Sequence, residues 1–198
     1  MNNNKTNKPI NKKLVVVGDP GCGKTQLLYR FHKNEFPKRG SYIPVCYEGF
    51  VKSVPLANGS IINLAVWDTP GAEDYDRLRP ISYENTDVFL IVVDLNEVSE
   101  WWRVSGMWIP EIRHHSGKSA PIILVGLDDD CESEDTEEHA NFKLFETQMV
   151  VDRVSVDAVL RCSATTNELL DSVLQEIAIA SVSKAGTGMF RNKKCMII

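Results

Sequence analysis

Residues 18–25 read Gly18-Asp19-Pro20-Gly21-Cys22-Gly23-Lys24-Thr25 and satisfy the spacing G-x-x-x-x-G-K-[ST] without a mismatch. In such a loop the glycines let successive backbone N–H groups converge on an anion, and the helix start that follows adds partial positive charge. Lys24 is placed to reach the β- and γ-phosphates, and the Thr25 hydroxyl to coordinate Mg²⁺. The context is the required one, with the apolar run Leu14–Val17 before the loop and an amphipathic stretch after it. A second string, Asp68-Thr69-Pro70-Gly71, follows the apolar run that ends at Trp67. It offers a carboxylate for the magnesium side and, at Gly71, a backbone N–H that can approach the γ-phosphate. Together these residues read as a nucleotide phosphate site.

The elements that must carry them follow from hydrophobic pattern. Leu14–Val17, Val88–Val93 and Ile122–Val125 are short, continuous apolar runs, as expected of parallel strands buried on both faces. Ile61–Trp67 reads as another strand, paired with one near Phe50–Leu56 across a turn at Asn58-Gly59. Helical stretches are expected after Lys24, over Ser99–His115, over Asn141–Arg153 and from Asn167 to Ser181. Strands alternating with helices predict an α/β sheet with crossover connections. Trp101 and Trp108 are expected to share a core-facing side of the second helix, leaving Trp102 exposed, and His114 and His115 suit a helix C-terminus.

The chain has 198 residues, enough for one domain with a sizeable core, and a net charge of −5. Both ends are nevertheless basic: Lys5, Lys8, Lys12 and Lys13 precede Gly18, and Lys184, Arg191, Lys193 and Lys194 follow Glu176, with no acid among them. Such ends read either as solvated tails or as segments that face an anionic surface. Eight carboxylates crowd Asp128–Glu138, as in a solvated loop or else a docking site for a basic partner or a weak cation site. Five cysteines without paired spacing argue against a disulfide framework and fit a reducing compartment. No apolar leader opens the chain, and Val88–Val93 is too short to span a bilayer.

At this point the chain resembles a Rho/Rac-family small GTPase of the Ras superfamily. The resemblance is carried by GDPGCGKT, FPKRGSYIPVCYE, WDTPGAEDYDRLRPISYENTDVFLIVV, MWIPEIRHH, PIILVG, RCSAT and the terminal CMII, in the family's order. It implies a P-loop, Ras-like α/β fold, a six-stranded, mainly parallel sheet with helices on both faces. It implies a basic N-terminal arm at 1–13, a GTPase domain at 14–182 and a flexible basic tail at 183–198. It further implies GDP or GTP with Mg²⁺, held by Thr25 and by Asp68 directly or through water, and switch segments that respond to the γ-phosphate. Phe36 would pack against the guanine base, Asp130 would accept two hydrogen bonds from it, and the backbone of Ser163 and Ala164 would approach its oxygen. Cys195, on a basic tail and followed by Met196-Ile197-Ile198, matches a prenylation site. One lipid plus basic residues supplies the two signals that stable anchoring needs. The implied partners are effectors, exchange factors and a prenyl-binding chaperone rather than nucleic acid. The implied setting is a monomer on the cytoplasmic face of a membrane, with a cytosolic pool.

Departures fall on the working parts. Ala72 stands where the family carries the glutamine that orients the attacking water, so no catalytic residue is intact and hydrolysis is expected to be very slow. Val45, within the switch I string Tyr42-Ile43-Pro44-Val45, replaces a threonine and removes a Mg²⁺ ligand made only in the triphosphate state. Pro20 fixes φ and deletes an N–H in the phosphate loop, and Pro70 stiffens the start of switch II. Asp128 takes the place of the lysine whose stem covers the base. The leading expectation is a membrane-anchored Rho-type signalling protein with impaired hydrolysis. The alternative is a pseudo-GTPase scaffold whose shape ignores GDP and GTP. A P-loop kinase would need a lid and a second substrate site that the sequence does not offer.

Overall fold

The computed structural model describes residues 8–37, 49–97, 102–116, 120–127, 156–166 and 169–183, and the backbone of 194–196. Its centre is a sheet of β1 (Ile10–Val17), β2 (Phe50–Pro55), β3 (Ile61–Asp68), β4 (Val88–Asp94), β5 (Ile122–Leu127) and β6 (Ala158–Cys162). The spatial order is β2-β3-β1-β4-β5-β6, closed at one edge by the short β7 (Lys194–Met196). Only β2 runs antiparallel, against β3. The hairpin between them turns at Asn58-Gly59, where Gly59 adopts φ 80° and the Asn58 side chain accepts from Ser60 N at 3.0 Å.

Alternation along β1 sends Leu14 and Val16 to one side and Val15 and Val17 to the other. On the first side Leu90, Val92, Ile123 and Val125 meet α1 (Lys24–Lys33), through Leu27, Leu28 and Phe31, and α3 (Leu170–Val182), through Val173, Leu174 and Ile177. On the second, Phe89, Ile91 and Val93 lie with Tyr83, Val104, Trp108 and Ile112. Val104 and Trp108 bound a five-residue π-turn that runs directly into α2 (Ile109–Ser116). Burial on both faces explains why β4 and β5 are unbroken apolar runs, each fully buried side chain contributing about 1.5–3 kcal/mol.

Three differences from the sequence expectation have physical causes. β1 begins at Ile10, inside the segment read as an arm. Lys12 and Lys13 tolerate the sheet because Asp87 accepts from Lys12 Nζ and Lys13 N, both at 2.8 Å, while Lys13 Nζ lies 4.8 Å from the Trp67 ring. β6 was not apparent from residue pattern because Arg161 interrupts its apolar run at an exposed position. Part of the tail expected to be flexible, Lys194–Met196, pairs parallel with Ala158–Leu160, where the open edge of β6 offers backbone donors and acceptors. The expected helix Asn141–Arg153, the acidic stretch and Trp101 lie outside the described residues.

Candidate functional site

The phosphate-loop residues leave the carboxyl end of β1, beside the ends of β3 and β4, where parallel α/β sheets place their ligands. Gly18 turns there at φ 146°, and a Cβ on it would collide with the Val92 carbonyl oxygen. Gly21 and Gly23 continue the loop at positive φ into the start of α1. Cys22 is buried beneath it, and Lys24, only 6% exposed, folds back over it to donate from Nζ to the Asp19 carbonyl at 2.6 Å. The ammonium therefore sits on the loop's backbone, where an anion cradle requires a cation. Pro20 is exposed beside Gly21.

Thr25 and Asp68, read from the sequence as the magnesium ligands, are brought together: Thr25 Oγ1 donates to Asp68 Oδ2 at 2.8 Å. A hydroxyl and a carboxylate are the hard oxygen donors that Mg²⁺ takes alongside water and phosphate oxygens, so the pair fits that ion. After Asp68, Thr69 donates to the Val16 carbonyl at 2.6 Å and fastens this loop to β1. Gly71 then comes so close to the phosphate loop that a Cβ would lie 2.7 Å from Asp19 C and Pro20 N. Ala72 follows in extended conformation, capping the 3₁₀ turn Glu73–Tyr75. Its methyl offers no hydrogen bond to a water.

Of the residues expected around the base, Phe36 is half-buried and packs against the α1–α3 core face. Ser163 and Ala164 follow β6, both buried, and Ser163 Oγ accepts from Thr166 N at 3.0 Å. Asp128, Asp130, Tyr42, Pro44 and Val45 lie outside the described residues, as does the side chain of Cys195.

Two arginines were not identified from the sequence. Arg79 lies in the 3₁₀ turn Arg79–Tyr83 with its side chain fully buried. It donates to Glu111 at 2.9 and 2.6 Å, to Asp76 at 2.6 Å and to the Pro70 carbonyl at 3.0 Å, and stacks 4.6 Å from the Trp108 ring. Burial by itself would lower its pKa, but the bonds and charge of Glu111, with Asp76, hold it above the ordinary arginine value. Tyr83 donates to the same carboxylate, and burial followed by that bond pushes its phenol up. The 3₁₀ turn Arg79–Tyr83 is thus tied to α2 by a bidentate ion pair.

Arg103 precedes the π-turn and donates from Nε to Asp19 Oδ1 at 2.8 Å, where Trp108 Nε1 also donates at 3.0 Å. Residues five apart diverge by about 140° on an α-helix. The i→i+5 turn, sealed by Ile109 N to Val104 O, brings them to one side. The residue spacing gave no sign of this. A cleft of about 760 Å³ opens here, lined by the phosphate loop at Asp19-Pro20-Gly21, by Gly71–Asp74, and by Arg103.

Comparison with known proteins agrees with this geometry. A sequence profile of the Ras family matches residues 13–183. The chain is 37% identical over 185 residues to the Rho-related GTP-binding protein RhoB of Homo sapiens, covering 88% of this chain and 91% of that protein. RhoB of Mus musculus matches to the same extent. A GTP-binding RHO-like protein of Candida albicans (strain WO-1) is 45% identical over 132 residues, which is 67% of this chain but 37% of that protein's length.

Proposed function

Since this chain belongs to the Ras family, as a Rho-like small GTPase, we propose that it is a membrane-anchored guanine-nucleotide-binding signalling protein with impaired GTP hydrolysis. The observation that carries the proposal is the assembly of Lys24, Thr25 and Asp68 beside Gly71, next to an Ala72 that has no side-chain donor or acceptor. Lys24 and the loop N–H groups would hold the phosphates, and Thr25 and Asp68 would hold Mg²⁺, which would supply charge neutralisation there. Ala72 leaves the attacking water without an orienter, so the triphosphate state persists and effectors are released slowly. Cys195 takes the prenyl group, and the basic tail adds attraction to an anionic cytoplasmic leaflet. Titration of labelled GDP and a non-hydrolysable GTP analogue, with and without Mg²⁺, tests the binding half. Tight, magnesium-dependent binding of both is expected, and absence of binding would refute it. Cys195→Ser should move the protein from the membrane to the soluble fraction, and an unchanged distribution would contradict anchoring at that residue.

A pseudo-GTPase scaffold is the second reading, favoured by the Arg79–Glu111 pair, which fastens switch II to α2 through bonds that need no nucleotide. Identical switch-region NMR spectra with GDP and the analogue would support it, and distinct spectra would exclude it.

A further inference from the structure

Beside the phosphate loop, the cleft of about 760 Å³ is lined by five carboxylates, Asp19, Glu73, Asp74, Asp94 and Glu97, and, among the described residues, by one basic side chain, Arg103. It is also lined by Pro20 and Ala72, so the guanidinium shares a cavity with the phosphate loop and with the position left without a donor. We propose that Arg103 is an internal cation for the terminal phosphate of a bound nucleoside triphosphate, making this site specific for triphosphate over diphosphate. The inference rests on the nucleotide-binding function proposed above and names a residue that this function does not require.

Three observations carry it. The guanidinium is held at the loop rather than in solvent, through Nε to Asp19 Oδ1 at 2.8 Å. Its other nitrogens have weak partners, Met107 Sδ at 3.1 Å and a Glu73 carboxylate at 3.8 Å that is itself 79% exposed. Those N–H groups are therefore available to a stronger acceptor, and a phosphate oxygen is one. The side chain is 36% exposed, and Asp19 keeps Trp108 Nε1 as a donor, so Arg103 can swing into the cleft without leaving the buried carboxylate bare. The electrostatics point the same way. A further phosphate added among five carboxylates meets repulsion, and Arg103 is the cleft group that offsets it. The small Ala72 side chain leaves room for that movement.

The test uses the full-length protein with Mg²⁺ and compares wild type, Arg103→Ala, Arg103→Gln and Arg103→Lys in titrations with fluorescent GDP and with a fluorescent non-hydrolysable GTP analogue. Thermal melts establish that each variant is folded, and Arg103→Gln, which keeps a polar side chain and most of the aliphatic stem without charge, serves should Arg103→Ala unfold. Arg103→Ala and Arg103→Gln are expected to weaken analogue binding roughly tenfold while changing GDP binding less than about twofold, and Arg103→Lys to recover part of the loss. Equal weakening of both nucleotides would make Arg103 a structural pin for Asp19 and overturn the inference, as would no change in either. Wild-type protein that binds neither nucleotide would overturn the proposed function as well.

Discussion

The phosphate cradle and the junction between switch II and α2 lie side by side but are built on different principles. In the cradle, function is mostly local: Gly18, Gly21, Gly23, Lys24 and Thr25 lie within one loop and helix start, and the long-range bond of Thr25 to Asp68 completes it. At the junction the main contacts join distant segments, Arg79 to Glu111, Tyr83 to Glu111 and Arg103 to Asp19, separated by 32, 28 and 84 residues, with Arg79 to Asp76 and to Pro70 as local supports. A motif can encode the first region, whereas only the fold can assemble the second.

That contrast predicts separable phenotypes. Arg79→Ala leaves Glu111 buried without its bidentate partner and should destabilise the fold by about 3–5 kcal/mol, the cost of breaking a buried ion pair from one side. Denaturant melts would show it, and a loss below about 1 kcal/mol would mean that the junction is not a structural clamp. Lys24→Ala should do the opposite, weakening nucleotide binding by roughly a hundredfold while leaving the melting temperature of the nucleotide-free protein nearly unchanged. Comparable damage to stability and binding from either change would erase the distinction between the regions. Trp108→Phe is the mildest probe. It removes one of two donors to Asp19 and trims a buried ring, and should cost about 1–2 kcal/mol, with GDP affinity altered less than about threefold.

The same contrast decides what the sequence made legible. Lys24, Thr25, Asp68 and Gly71 were found because phosphate chemistry demands those types at that spacing, and β4 and β5 because burial on two faces leaves an unbroken apolar run. Arg79 was passed over because an arginine is by default a surface residue, and its burial depends on a carboxylate that only the crossover brings near. Arg103 and Trp108 were not paired because α-helical periodicity separates them and the π-turn that reunites them has no sequence signature. The start of β1 was hidden by Asn11, Lys12 and Lys13, whose polar side chains find partners on neighbouring segments, among them Asp87 and Asn63.

Magnesium chemistry offers a further division. Placing a water-orienting side chain at position 72, by Ala72→Gln, tests whether the proposed lesion there limits hydrolysis. Adding Val45→Thr tests whether the ligand proposed to be missing from switch I limits it first. If the single change is silent and the double change active, geometry around Mg²⁺ is the deeper fault.

The central claim, a site that still holds GTP but has lost the means to hydrolyse it, is tested most directly by single-turnover hydrolysis of preloaded wild-type protein beside Ala72→Gln. Wild type is expected to be slower than the variant by roughly tenfold or more, the scale of one missing transition-state contact. Ready hydrolysis by wild type, which Ala72→Gln does not accelerate, would contradict the account.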